Sequence, residues 1–298
     1  MLILKLNTKK PLQRMLQGLL VATLLLCWAA PAWSHPDLPE QTDPQLQSGL
    51  ENVLAELKLE GSAKQGSLAV ALVDLSEAEP RVALVNGHEM IYAASLPKIA
   101  ILLGAAVALE NGSLVMDEAL EQDLHEMIRV SCNSCATRVL ERIGREELLA
   151  ILQSPDYHFY DPEKGGGLWV GKPYGPEPAY QRDPLEQISH AATVFQAARF
   201  YYLLNRRELV SPAQSEMMLE TLANPGIEHK FVSGLAVYED LELFRKSGSW
   251  KQYHADSALV VGKNHSYIMV ALIEDSGGSA ILEKLAPRLH QLITSTGN

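Results

Sequence analysis

The stretch LPKIAILLGAAVAL, residues 96–109, constrains the fold more than any other part of the chain. It is too long and too continuously apolar for a strand, so it reads as a helix. A helix that is apolar all round has no face for water and must be enclosed by other elements. Asn111 and Gly112 supply its stop signal. Its single charge, Lys98, stands in the first turn, where a lysine buried without a task is costly. The chain must therefore wrap a core around this helix and give Lys98 a use.

The 298 residues are enough for that, as one large domain or two interleaved ones. With 47% hydrophobic and 20% charged residues the composition is that of a globular protein. Residues 1–34 read as a targeting segment. Lys5, Lys9, Lys10 and Arg14 form a basic start, an apolar run covers 19–30, and Ala32-Trp33-Ser34 offers a small-x-small cleavage site. The run is short for a membrane span, so an uncleaved N-terminal membrane anchor is the second reading. Cleavage leaves residues 35–298, soluble in the periplasm or secreted, with no stable membrane association. Removing four basic and no acidic residues leaves 21 basic against 36 acidic ones, a net charge of −15. That balance opposes nucleic acid as a partner.

Leu46, Leu50, Val53, Leu54 and Leu57 have helical spacing over 43–60. Residues 67–75 (SLAVALVDL) read as a buried strand and 81–86 as a second. Helices are expected over 120–130 and 132–143, the latter stopped by Gly144, and again over 191–204 and 212–222. Residues 155–183, rich in Gly, Pro and aromatics, read as one long loop, a length that is usually functional. Strands at 242–250, 257–262 and 266–274 and a helix at 280–294 close the chain. The order predicts an α/β (α+β) fold: an antiparallel sheet flanked by the terminal helices, with a helical subdomain over about 96–222 inserted between strands.

Ser95-Leu96-Pro97-Lys98 carries the first chemical signal. A spacing of three puts Ser95 and Lys98 on one helical face. A serine hydroxyl needs a base at hand, and a desolvated lysine favours its neutral amine. Ser131-Cys132-Asn133 opens another helix, and Lys246-Ser247-Gly248-Ser249 lies in a late strand. Each triplet alone has a plain structural reading: a capping serine, a helix N-cap, a strand with a bend at glycine.

Together, the order S-x-x-K, S-x-N, K-[ST]-G resembles class A β-lactamases and penicillin-binding proteins. The resemblance runs through nearly all of 35–298, including MIRVSCNSCATRVL, RELVSPAQSEMMLETL, ADSALVVG and SYIMVALIED. It implies a β-lactamase/transpeptidase-like fold and a serine hydrolase acting on the cyclic amide of β-lactams. It implies that Ser95 is the nucleophile, that Lys98 relays its proton and that Ser131 passes a proton to the leaving nitrogen. Asn133 would hydrogen-bond the substrate's side-chain amide, and Lys246 and Ser247 its carboxylate. Gly248 belongs to the third motif, and the backbone N–H groups of Ser95 and Ser249 would form the oxyanion hole. The expected partner is a small β-lactam or a peptidoglycan-like substrate, and no cofactor or metal is called for.

The chain departs from that pattern. Ser95 and Ser131 are only 36 residues apart, which predicts a reduced helical subdomain. Cys132 stands where Asp is usual, and Trp250 where a glycine often follows the third motif. The 155–183 loop has no E-x-x-L-N stretch, and aligning on His190 and Ala191 brings a proline near the place of the deacylating glutamate. Glu163, Glu177 and Asp183 are the substitutes, each with a plain reading as a solvated loop acid. An acyl-enzyme should then persist. A slow lactamase, a D,D-peptidase or esterase-like enzyme, and a β-lactam-binding protein without turnover all follow from that. Trp169 in GGGLWVGKPYG is either a pocket wall or a hydrophobic plug. Cys132 and Cys135 lack the partners a zinc site needs. Three positions apart in a first helical turn, their Cα atoms are roughly 5 Å apart, which suits a reversible disulfide. His190 is expected to pack or cap the helix that follows it.

Overall fold

The computed structural model describes residues 37–295. The expected targeting segment lies outside them, and no described helix is long and apolar enough to cross a membrane. The described chain begins with α1 (Pro44–Glu56) and the short α2 (Glu60–Lys64), then β1 (Leu68–Asp74), β2 (Arg81–Val85) and β3 (Ile91–Tyr92). Four helices follow: α3 (Lys98–Glu110), α4 (Glu118–Arg129), α5 (Asn133–Ile143) and α6 (Arg145–Gln153). The next stretch holds short strands, β4 (Tyr160–Asp161), β5 (Gly166–Gly167), β6 (Trp169–Val170) and β7 (His190–Ala192), with a 3-10 turn at Pro162–Lys164 between the first two. Helices α7 (Val194–Asn205), α8 (Pro212–Leu222) and α9 (Phe231–Leu235) lead to β8 (Glu242–Trp250), β9 (Tyr253–Val261), β10 (Ser266–Glu274) and α10 (Gly278–Ser295).

The sheet runs β2-β1-β10-β9-β8, antiparallel throughout. Period-two alternation divides its side chains between two cores. Ala69, Ala71 and Val73 of β1 face the core shared with the helical block, while Leu68, Val70 and Leu72 face the one shared with α1, α9 and α10. Both faces are covered, so the strands read as apolar runs rather than polar–apolar repeats. This is the predicted fold class, with the terminal helices on one face.

Side-chain caps define the helix starts: Asp43, Asp117, Thr193 and Ser211 each accept from the backbone N–H three residues on. Helix α3 is buried from Lys98 to Ala108, as its all-apolar surface requires. Gly104 lets α6 approach, because a Cβ there would sit 2.8 Å from Leu148 Cδ1.

The structure corrects several expectations. Helices α6 and α9 lie in stretches assigned no element. The 155–183 loop contains β4, β5 and β6, of which β6 joins β7 and β3 in a second small sheet. His190 sits in β7, not at the head of a helix, because its backbone pairs with β6 and its carbonyl accepts from Ala93 N at 2.9 Å. Strand β9 begins at Tyr253 rather than Ser257: its polar start YHAD is held by pairing with Ser247–Trp250.

Candidate active site

Three segments converge on one cleft: the turn ahead of α3, the α4–α5 junction and the edge strand β8. Ser95, Asn133 and Ser249 line it, one from each, in a space of about 1060 Å³. Lys98, Ser131, Lys246, Ser247 and Gly248 form the layer behind them.

Ser95 lies in a tight turn in which Leu96 N donates to Ala93 O and Lys98 N to Ser95 O. Ala94, with φ 51°, adopts the left-handed region that non-glycine residues enter only under outside constraint. The constraints are visible: Tyr174 Oη donates to Ala94 O at 3.2 Å, and β3 just upstream pairs with β7. From the other side Gly248 presses against the turn. A Cβ on it would lie 2.7 Å from Ser95 N and 2.8 Å from Leu96 N, so β8 can approach this closely only with glycine here.

Lys98 is fully buried, and its amine turns toward the α4–α5 junction. Nζ donates to Ser131 O at 2.6 Å, to Asn133 Oδ1 at 2.8 Å and to Ser131 Oγ at 3.3 Å. It also lies 4.5 Å above the centre of the Tyr174 ring. No hydrogen bond joins it directly to Ser95 Oγ among the described residues. Burial lowers its pKa to about 7, so a large share of the amine is neutral near physiological pH. Ser131 is itself in the left-handed region, φ 59°, which aims its hydroxyl between two lysines. Lys246 Nζ, buried on β8, donates to Ser131 Oγ at 2.9 Å and to Ser247 O at 2.7 Å. Burial and then the charge of Lys98 hold Lys246 well below the ordinary lysine pKa.

Cys132 and Cys135 are joined in a disulfide with Cα atoms 5.4 Å apart, as their spacing allowed. The crosslink closes the first turn of α5, directly after Ser131, and Cys132 Sγ caps that helix by accepting from Cys135 N.

None of the three loop acids lines the cleft that Ser95 lines. Glu163 is exposed at the rim of a different depression, with Glu40 and His88. Glu177 is exposed beside Arg145 at 3.3 Å. Asp183 is buried, its carboxylate consumed by the N–H groups of Leu185, Glu186 and Ile188. The one carboxylate lining the cleft among the described residues is Glu274, at the end of β10, where Gln252 Nε2 donates to it at 3.3 Å. Lys172, Arg182 and Lys251 also line the cleft, so a strongly acidic chain presents a cationic groove.

Trp169 is a plug and not a pocket wall. It is fully buried, packs on Tyr160 at 4.6 Å, and its indole N–H donates to Gln181 O at 3.0 Å. The aromatic lining of the cleft comes from Tyr92, Tyr174 and Tyr253, with His190 against Tyr174 at 4.3 Å. Burial lowers the His190 pKa to about 4, so this imidazole is neutral, and its Nε2 bonds Lys172 O at 2.9 Å. None of these four carried a motif. The same loop, GGGLWVGKPYG, held the signal for Tyr174, but which of its aromatics faces the cleft depends on how the loop packs. Lys230 also had no motif, although like Lys98 it leads into an apolar stretch. It is fully buried, with its amine bonded to β8 and β9.

A family model described as the β-lactamase enzyme family matches residues 119–294, a stretch that begins after Ser95 and Lys98. No curated protein matches the chain. Among solved structures, PBP-A aligns with a TM-score of 0.65 at 17% identity, over 87% of this chain and 99% of that one. A PBP-A mutant in an acyl-enzyme complex with penicillin G aligns with the same TM-score and identity, over 86% and 99%. The β-lactamase from Sphaerobacter thermophilus DSM 20745 aligns at 0.65 and 16% identity, over 84% and 97%. At such identities the likeness is one of fold.

Proposed function

Because the chain belongs to the β-lactamase enzyme family and is a serine hydrolase of that family, we propose that Ser95 opens β-lactam amides by acyl transfer and that the acyl-enzyme is released slowly. One observation carries the first half: the Ser131 hydroxyl is held between Lys98 and Lys246, beside the cleft that Ser95 lines. Ser95 Oγ attacks the amide carbonyl and its proton passes to the neutral amine of Lys98. The hydrogen bond from Lys98 to Ser131 gives that proton a path through the Ser131 hydroxyl to the departing nitrogen. The backbone N–H groups of Ser95 and Ser249 receive the oxyanion. Lys246 and Ser247 meet the substrate carboxylate, which the cationic lining of the groove attracts. Asn133, at the cleft surface, keeps its amide N–H₂ for the substrate's side-chain amide.

The second half rests on the loop acids. Hydrolysis of the ester needs a base within one water of the acyl carbon, and none of Glu163, Glu177 and Asp183 lines the cleft, the last two being paired elsewhere. The acyl-enzyme with penicillin G known for a PBP-A mutant is the state expected to accumulate here. Residues 1–34 are proposed as the export signal, with 35–298 as the catalytic domain in the periplasm or outside the cell. The disulfide suits such an oxidising compartment.

Rapid mixing with nitrocefin, read by absorbance and intact mass, tests the proposal. A stoichiometric burst with the mass of the acyl adduct is the expected result. Sustained turnover with mainly free enzyme would show an unrecognised base. No reaction at all would overturn acyl transfer to β-lactams and leave a peptidase of another specificity.

A further inference from the structure

Resting on the acyl-transfer reading, we propose that Lys230 is a positioning residue that strengthens the oxyanion hole through its hydrogen bond to the peptide group joining Gly248 and Ser249.

The Lys230 side chain is wholly buried. Its Nζ donates to Gly248 O at 2.6 Å, to Ser249 Oγ at 2.8 Å and to Ala255 O at 3.0 Å. All three donor positions of an ammonium are thus engaged, and two of the acceptors flank one peptide bond. The carbonyl of that peptide belongs to Gly248 and its N–H to Ser249. A cation at the carbonyl oxygen draws electron density through the amide and makes the N–H at the other end a stronger donor.

The backbone geometry directs that N–H toward the cleft. Strands β8 and β9 are joined by the two-residue turn Lys251–Gln252, with Trp250 opposite Tyr253. In such hairpins the closing pair exchanges hydrogen bonds and the next pair does not. Ser249 and His254 form that next pair, so Ser249 N–H turns away from β9 toward the open edge. Strand β8 is the edge strand of the sheet, and its neighbour on that side is the Ser95 turn, against which Gly248 packs. The Ser249 hydroxyl accepts from Lys230 and lies 3.3 Å from His254 Nδ1.

Lys230 is fixed in place at a backbone cost. Its φ of 54° and ψ of −118° lie in a region that a lysine enters only when its surroundings demand it. The next residue, Phe231, donates its N–H to Asp256 Oδ2 at 3.1 Å, and Asp256 is clamped by Arg245 at 2.7 Å. The carboxylate nearest Lys230 is therefore already paired, and the lysine spends its protons on the β8 and β9 carbonyls and on Ser249.

The test uses full-chain Lys230→Met, Lys230→Gln and Lys230→Arg proteins, each checked for folding by its melting profile. Two quantities are read: the second-order rate of acylation by a penicillin, and the infrared frequency of the acyl-enzyme ester carbonyl, isotope-labelled in the penicillin. A weaker oxyanion hole leaves that carbonyl less polarised, so its frequency rises. The expected result is a higher frequency and roughly tenfold or greater loss of acylation rate in the Met and Gln variants, with both restored toward the parent in the Arg variant. The Gln variant, which keeps a neutral donor, serves where Met does not fold. An unshifted carbonyl in any folded neutral variant, even with slowed acylation, means that Lys230 only supports the strand and overturns the inference. Absence of any acyl-enzyme in the unsubstituted protein would instead overturn the acyl-transfer reading on which it rests.

Discussion

Lys246 Nζ donates to Ser131 Oγ across 2.9 Å, joining residues 115 positions apart in the chain. With Lys98 Nζ 3.3 Å from the same oxygen, one hydroxyl sits between two buried amines, and among the described residues no carboxylate pairs with either. Burial lowers the pKa of both, to about 7 for Lys98, which suits Lys98 as the base. The arrangement makes each residue's contribution separately measurable.

Ser95→Ala should abolish covalent labelling by a fluorescent penicillin while the melting temperature stays near that of the parent. The substitution removes one partly exposed hydroxyl and opens no cavity. Gel fluorescence decides it: full labelling of the variant would mean that another residue is the nucleophile.

Lys246→Ala should lower kcat/KM for carboxylate-bearing β-lactams by roughly ten- to a thousandfold, the size of a hydrogen bond to a charged group. A neutral ester substrate should lose less, through the Ser131 contact alone. Equal losses on both substrates would remove the carboxylate-binding role.

Acylation should depend on pH through Lys98. The neutral amine is the active form, so below its pKa of about 7 the rate should fall about tenfold per pH unit, and above it level off. The Tyr174 ring face favours the ammonium form. Tyr174→Leu should therefore move the midpoint down by roughly 1 pH unit, the worth of a buried cation–π contact. An upward shift would contradict the assigned contact.

The oxidised protein should titrate no free thiols among residues 35–298, since Cys132 and Cys135 are paired. Reduction should cost about 2 kcal/mol, the small value expected for so short a closed loop. Because the crosslink follows Ser131 directly, acylation should slow on reduction by more than the Ser95 turn, which carries no cysteine, would explain. Two reactive thiols in native protein, or an unchanged acylation rate after reduction, would count against this.

Local chemistry alone determined much of the molecule. The all-apolar helix at 96–109, the apolar runs of β1 and β10 and the terminal helices each follow from residue spacing and composition. Each of the three short motifs is contiguous in the chain, so their combined resemblance to a known family could point to Ser95, Lys98, Ser131, Asn133 and Lys246 before any coordinate was known. The disulfide between Cys132 and Cys135 was legible because a separation of three sets the Cα distance almost by itself.

What joins distant segments was decided only by tertiary packing. Strand β9 takes up the polar residues Tyr253–Asp256 because β8 offers hydrogen bonds to them, and no local propensity records that pairing. Trp169 and Tyr174 are five residues apart in one loop. One became a plug and the other the platform under Lys98, through contacts with Tyr160, Gln181 and Ala94 that no periodicity announces. Asp183 looked like a spare acid until three backbone N–H groups consumed it. Lys230 lies in no motif at all, because its meaning comes from the β8 carbonyl it reaches across the sheet. Propensity and spacing act over a few residues, while the lowering of a lysine's pKa or the aim of a peptide N–H depends on burial, which the whole fold creates.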